Sequence, residues 1–239
     1  MYSGRTGQQL SWEDLQGAIG WADVIIVGEE HDDAVGHAVE LAVVHDTLAP
    51  HPGSALSMEM LERDDQDVAN DFLDGIVDAQ TLETLTLSTD WGGKGMWKSW
   101  YQPMLDCARE HDSRVVAANA PRRYVRLART EGYERFRAIP PPRRELFDLP
   151  GPLKDQGYVD RFVEVMEGHD AAATQPASSA PASEQKYVNE PATSPRKRTQ
   201  AEVIEIMGPQ LVWDATMAAS IARAKRSGAT KVVHIVGQF

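Results

Sequence analysis

The chain has 239 residues, with 24 Lys plus Arg against 36 Asp plus Glu, for a formal net charge of −12. A hydrophobic fraction of 42% and a charged fraction of 25% belong to an ordinary globular chain with ample apolar material for a core. The acidic balance argues against a nucleic-acid binder, which needs a clustered positive field. The single cysteine, Cys107, excludes an intrachain disulfide and any cysteine-based zinc or iron–sulfur site.

In chain order, Ser11 with Asp14 three residues on predicts a helix start, and the helix runs to Gly20. Val24-Ile25-Ile26-Val27 is a continuous β-branched run, as in a strand buried on both faces. The polar run Gly28-Glu29-Glu30-His31-Asp32-Asp33 ends it. From Ala34 to Leu48 the spacing of Val35, Ala38, Val39, Ala42 and Val43 is helical, and Pro50-His51-Pro52-Gly53 closes that helix. Residues 55–60 read as a second strand. A helical excursion over about 61–110 follows, with helices at 64–73, 78–85 and 97–110, the last with a boundary at Pro103. Residues 114–118 read as a third strand, and a helix follows Asn119 as far as Gly132. Pro140-Pro141-Pro142 marks an irregular stretch, and 158–167 are helical. Residues 169–198 carry Pro176, Pro181, Pro191 and Pro195 among Ala, Ser and Thr, the composition of a mobile loop. A long helix over 200–227, bent near Gly208-Pro209, leads to a fourth strand at 231–236.

Strands alternating with helices predict an α/β fold. The expected architecture is a mainly parallel sheet of at least four strands, covered by helices, with the excursion as a cap and the whole chain as one domain. Ligands of such sheets gather beyond the carboxyl ends of the strands, where polar residues cluster here. Glu29, Glu30, His31 and Asp32 follow the first strand, Glu59 closes the second, and Asn119, Arg122 and Arg123 follow the third. Two carboxylates and an imidazole within three residues suit a metal or acid–base chemistry. An acidic turn with Asp32 or Asp33 capping the next helix explains the same residues. Gly28 would permit a sharp turn there. His37 lies six residues after His31, just inside the following helix, and reads either as a solvated helix residue or as a group approaching the same pocket. Trp91, Trp97, Trp100 and Tyr101 form an aromatic segment, either core or a flat wall for a planar ligand such as haem. Asp214, mid-helix, calls for a donor that Arg122 or Arg123 would supply. No Walker-type loop, GxGxxG or GxSxG occurs, which leaves nucleotide binding by those devices unsupported.

Five segments in order, Val24 to Asp32, Met58 to Gln66, Ala117 to Arg123, Gln210 to Ala218 and Val232 to Gly237, resemble the ChaN-like haem-binding family of the Tiki and erythromycin-esterase-like superfamily. The resemblance implies a haem-binding α/β protein in haem or iron uptake and handling. It further implies a bacterial cell-envelope location and a homodimer with stacked haems. Carried onto this chain, His31 or Tyr101 would ligate iron, Trp91, Trp97 and Trp100 would contact the macrocycle, and Asn119, Arg122 and Arg123 would line the site, the arginines pairing with propionates. The Tiki branch implies instead a metal-dependent hydrolase: His31, Glu29 and Glu59 would hold a divalent transition-metal ion, with Glu30 as general base. Gly28-Glu29-Glu30-His31 matches the first of that branch's two G-x-x-H elements. The second would begin at Gly237, and its histidine would fall one residue past Phe239. A third reading is a domain with the fold and no retained chemistry. The partner expected is haem or another small molecule, without nucleic acid and without a membrane span. The segment from Met1 shows neither an apolar signal region nor a lipobox cysteine.

Overall fold

The computed structural model describes residues 1–152, 156–162, 164 and 200–237. The expected mobile loop at 169–198 and the end of the 158–167 helix lie outside the described residues. The helices are α1 (Trp12–Trp21), α2 (Ala34–Leu48), α3 (Gln66–Leu73), α4 (Ala79–Leu85), α5 (Trp97–Trp100), α6 (Gln102–Glu110), α7 (Arg122–Glu131) and α8 (Gln200–Arg226). The strands are β1 (Val24–Glu29), β2 (Ala55–Glu62), β3 (Arg114–Asn119) and β4 (Val232–Gly237). Contacts divide the chain into two compact units: Met1–Ala118 with the stretch from Ala218 onward, and Asn119–Met217.

The sheet is all parallel, in the order β1-β4-β2-β3. The last strand in sequence therefore occupies a central slot. It pairs with β1 from Val24 opposite Val232 to Glu29 opposite Gly237, and with β2 from Ala55 opposite Val232 to Met58 opposite Ile235. Every residue of β4 from Val232 to Ile235 is buried, as are Ala55 to Met58 of β2. Burial on both faces explains their near-continuous apolar character. β1 departs from the expectation of burial on both faces. It is a sheet edge, and Ile26 is 65% exposed. Gly28 is not a turn residue but continues β1, paired with Val236.

The main core of the first unit packs Val43, Val44 and Leu48 of α2 with Leu56, Met58 and Met60 of β2, Val233 and Ile235 of β4, and Phe72, Trp97, Tyr101 and Met104 from the excursion. The excursion is helical as expected, but the chain over 97–110 forms two helices. The break falls at Tyr101, and Pro103 sits in the first turn of α6, where its missing N–H costs nothing. α2 begins at Asp33, whose side chain accepts the Val35 N–H at 2.9 Å. Its inward face differs from the apolar stripe read in the sequence. His37, Glu40, Val43, Val44, Thr47 and Leu48 are buried, while Val35 is 72% and Val39 40% exposed.

In the second unit, Tyr124, Phe136, Phe147 and Val212 form a separate core. α8 runs on through Pro209, and the Tyr133 hydroxyl donates to the Gly208 carbonyl at 2.7 Å. Asp214 takes its donors from the Tyr158 hydroxyl and from Gln210 Nε2 at 2.9 Å, not from an arginine. Two neutral donors satisfy that carboxylate without a buried charge pair.

His234, on β4, is buried and its Nδ1 lies 2.9 Å from the Ser57 hydroxyl. Burial disfavours the imidazolium and lowers its pKa from 6.5 to about 4. The unfolded chain therefore binds a proton that the folded chain refuses. The corresponding stability, roughly 3 kcal/mol, is present above pH 6.5 and is lost as pH falls from there through about 4. A Ser57→Ala/His234→Leu double variant should show a flatter loss of melting temperature between pH 6.5 and 4 than the parent protein.

Candidate functional site

The carboxyl rim of the sheet carries the site. Glu29 ends β1, Gly237 ends β4 opposite it, and Glu59 projects from the adjacent β2. The loop after β1 brings His31 back over this rim. Glu29 is 3% exposed, so its carboxylate has to be satisfied by protein groups. Its Oε1 accepts the Tyr101 hydroxyl at 2.7 Å and faces His31 Nδ1 at 2.5 Å. A carboxylate oxygen accepts, so His31 Nδ1 carries the proton. The His31 side chain is 36% exposed, and its Nε2 is left as the lone-pair nitrogen.

The ring edge formed by Cε1 and Nε2 faces Gly237. A Cβ at Gly237 would lie 2.5 Å from His31 Nε2 and 3.3 Å from Glu59 Oε2. The absent side chain is the room into which the ring fits. Glu59 Oε2 also accepts the Gly237 N–H at 2.6 Å. Glu29, His31 and Glu59 thus meet around one glycine, and Glu30 next to them is exposed; Glu59 does not close β2, which continues to Glu62.

Behind Glu29 lies a second layer. His37 is not a solvated helix residue but is 3% exposed. Its Nδ1 faces Glu40 Oε2 at 2.8 Å and Glu29 Oε2 at 3.7 Å, and its Nε2 meets the His31 backbone carbonyl at 3.2 Å. A carbonyl only accepts, so Nε2 holds a proton, and Nδ1 keeps its lone pair where the Glu40 carboxyl is protonated and donates to it. Burial, and then the neighbouring Glu29 charge, push the Glu40 carboxyl up to about 8. Burial and the same charge hold the Tyr101 hydroxyl far above its ordinary value, as a neutral phenol.

Aromatic rings enclose both layers. Trp100 stacks on His37 with centroids 4.4 Å apart, Tyr101 meets His37 edge-on at 5.0 Å, and Trp91 meets His31 edge-on at 5.1 Å. Trp97 and Tyr101 lie within the core, at 1% and 0% exposure, and Trp97 Nε1 donates to Gln102. Asn119, Arg122 and Arg123 belong to the second unit. There Asn119 Oδ1 accepts the Ala120 N–H at 2.9 Å, and the Arg123 guanidinium lies over the Tyr124 ring at 4.9 Å.

Gly92 sets the packing of the aromatic segment. Its φ is +70°, and a Cβ there would lie 2.7 Å from Trp100 Cε3 and 3.0 Å from the His31 carbonyl. Gly75 has a similar φ of +73° with nothing within 4 Å. Gly92→Ala should therefore destabilise more than Gly75→Ala, by about 1–3 kcal/mol, measured as the difference in denaturant midpoint.

A family model described as haem-binding uptake, Tiki superfamily, ChaN matches residues 16–239. A solved structure of cofacial heme binding to ChaN of Campylobacter jejuni is similar, with a TM-score of 0.63 and 16% sequence identity, covering 99% of this chain and 78% of that one. No curated protein matches. With the parallel sheet, the strand-end Glu29 and His31 and a family match over nearly the whole chain, the protein belongs to the ChaN haem-binding family of the Tiki superfamily.

Proposed function

We propose that this protein binds haem at the carboxyl rim of the sheet, with His31 Nε2 as the protein's ligand to iron. The observation that carries the reading is the state of His31. Glu29 holds its Nδ1–H, and the opposite nitrogen keeps a lone pair on a side chain 36% exposed. A histidine whose far N–H is held by a carboxylate is oriented and made more basic for a metal. The residues present fit the group: an imidazole donor, the Trp91 ring beside it, and exposed apolar side chains at Val35 and Met96 on the flanking segments. Haem, when bound, supplies an iron centre for ligand exchange or electron transfer. Handling or uptake of haem is the role that suits the family.

Tyr101 takes a positioning role in this reading. It is fully buried and donates to Glu29, so it fixes the carboxylate that fixes His31. Trp100, partly buried, keeps its place in the aromatic wall as part of the proposal, whereas Trp97, 1% exposed, packs within the core. Face-to-face haems in a homodimer and a place in the bacterial cell envelope rest on the family alone.

A second reading, a hydrolase with a divalent ion on Glu29, His31 and Glu59 and with Glu30 as base, has one observation in its favour. His31 Nε2 and Glu59 Oε2 flank the same glycine. A rim-bound ion would activate water there. Chelator-sensitive hydrolysis together with an unshifted hemin spectrum would select it.

Titration with hemin should shift the Soret band and saturate. His31→Ala should abolish the shift. Gly237→Ala should do the same, because the new Cβ expels the ring from its place on Glu29. Tyr101→Phe should retain it. Unchanged hemin binding by a folded His31→Ala variant would overturn the assignment.

A further inference from the structure

We infer that Glu29, His37 and Glu40 form a second, buried site for a divalent first-row transition cation, distinct from the half-exposed position at His31. One ligand atom from each lies within 4.8 Å of the other two, and all three residues are buried. Ligands about 2.0–2.2 Å from a zinc-sized ion stand roughly 3–4 Å apart, so the cluster closes on an ion with sub-ångström adjustment.

An independent observation points to a ligand here. With both carboxylates ionised, Glu29 Oε2 and Glu40 Oε1 are inaccessible and make no hydrogen bond among the described residues. Their residues are only 3% and 1% exposed. Buried carboxylate oxygens without partners are costly and call for an explanation. A cation between them supplies it. A bound cation would displace the Glu40 proton, and two ionised carboxylates with a neutral imidazole match the charge of a divalent ion.

The outer contacts are those of a metal site. His37 donates Nε2–H to the His31 carbonyl and turns the Nδ1 lone pair toward the two carboxylates. A ligating histidine ordinarily anchors its other N–H in this way. Glu29 is divided between the two positions: Oε1 serves Tyr101 and His31, and Oε2 faces His37. One imidazole with two carboxylates suits zinc, manganese or ferrous iron rather than a soft-ligand metal. The enclosing Trp100 and Tyr101 rings make exchange slow, so an ion acquired during folding stays.

The test is expression in zinc-supplemented and, separately, manganese-supplemented medium, a brief chelator wash, and elemental analysis of the full chain. The parent protein and the His31→Ala variant should each retain about one ion per chain. Glu40→Gln, which keeps a polar group beside His37, and His37→Phe, which keeps the ring on Trp100, should retain at least tenfold less, with far-UV circular dichroism unchanged. Metal-free parent protein in both media would overturn the proposal. So would retention by a folded Glu40→Gln variant, or loss in His31→Ala and Glu59→Gln with retention in Glu40→Gln. Hemin titration of the same preparations is read separately, so failure of the haem reading and failure of this one are told apart.

Discussion

The carboxylate of Glu29 is the group around which the first unit's rim is organised. Burying it obliges the fold to bring partners from three segments: the hydroxyl of Tyr101 between α5 and α6, the imidazole of His31 from the loop, and the His37–Glu40 pair from α2. None of these partners is adjacent to another in the sequence. Each is held because an unsatisfied carboxylate in an apolar surround costs several kcal/mol. The same requirement fixes the tautomer of His31. The chemistry of Nε2 is thus set by the buried carboxylate on the other side of the ring.

Two histidines six residues apart end up with opposite presentations. His31 is anchored through Nδ1 and shows Nε2 toward the strand ends, whereas His37 is anchored through Nε2 and shows Nδ1 inward. The anchor of the second is the backbone carbonyl of the first, so the loop and the first turns of α2 form one rigid piece. A large planar ligand proposed for the rim and a small ion proposed for the interior would share Glu29 without competing for the same atom. Charge added on one side of that carboxylate alters the basicity of His31 on the other.

Much of the scaffold was legible from hydrophobic pattern. Val24 to Val27, residues 55–60, residues 114–118 and residues 231–236 all announce strands by continuous apolar runs, and all four are strands. Pattern is silent on strand order, because any parallel arrangement buries such runs. This is why the edge position of β1, with Ile26 in solvent, was not foreseeable. α2 shows the opposite failure. Its valines at 35 and 39 outweigh His37 and Glu40 on any hydrophobicity count, yet the polar pair faces inward because it completes the network around Glu29. The signal that was available is spacing: His37 and Glu40 are three apart on a helix that starts three residues after His31. Glu59 and Gly237 were readable as strand-end residues, but the fit of the His31 ring over a missing Cβ is a property of three dimensions only.

The central slot taken by β4 has a consequence for how the protein is made. β1 and β2 are synthesised before β4, yet neither pairs with the other, and the edge that each gives to β4 waits for residues 232–237. Until those residues emerge the nascent chain carries two apolar strands with open edges, the condition that invites mispairing and recruits chaperones. Completion of the sheet, and with it the delivery of Gly237 to the rim, is thereby deferred until β4 has been made.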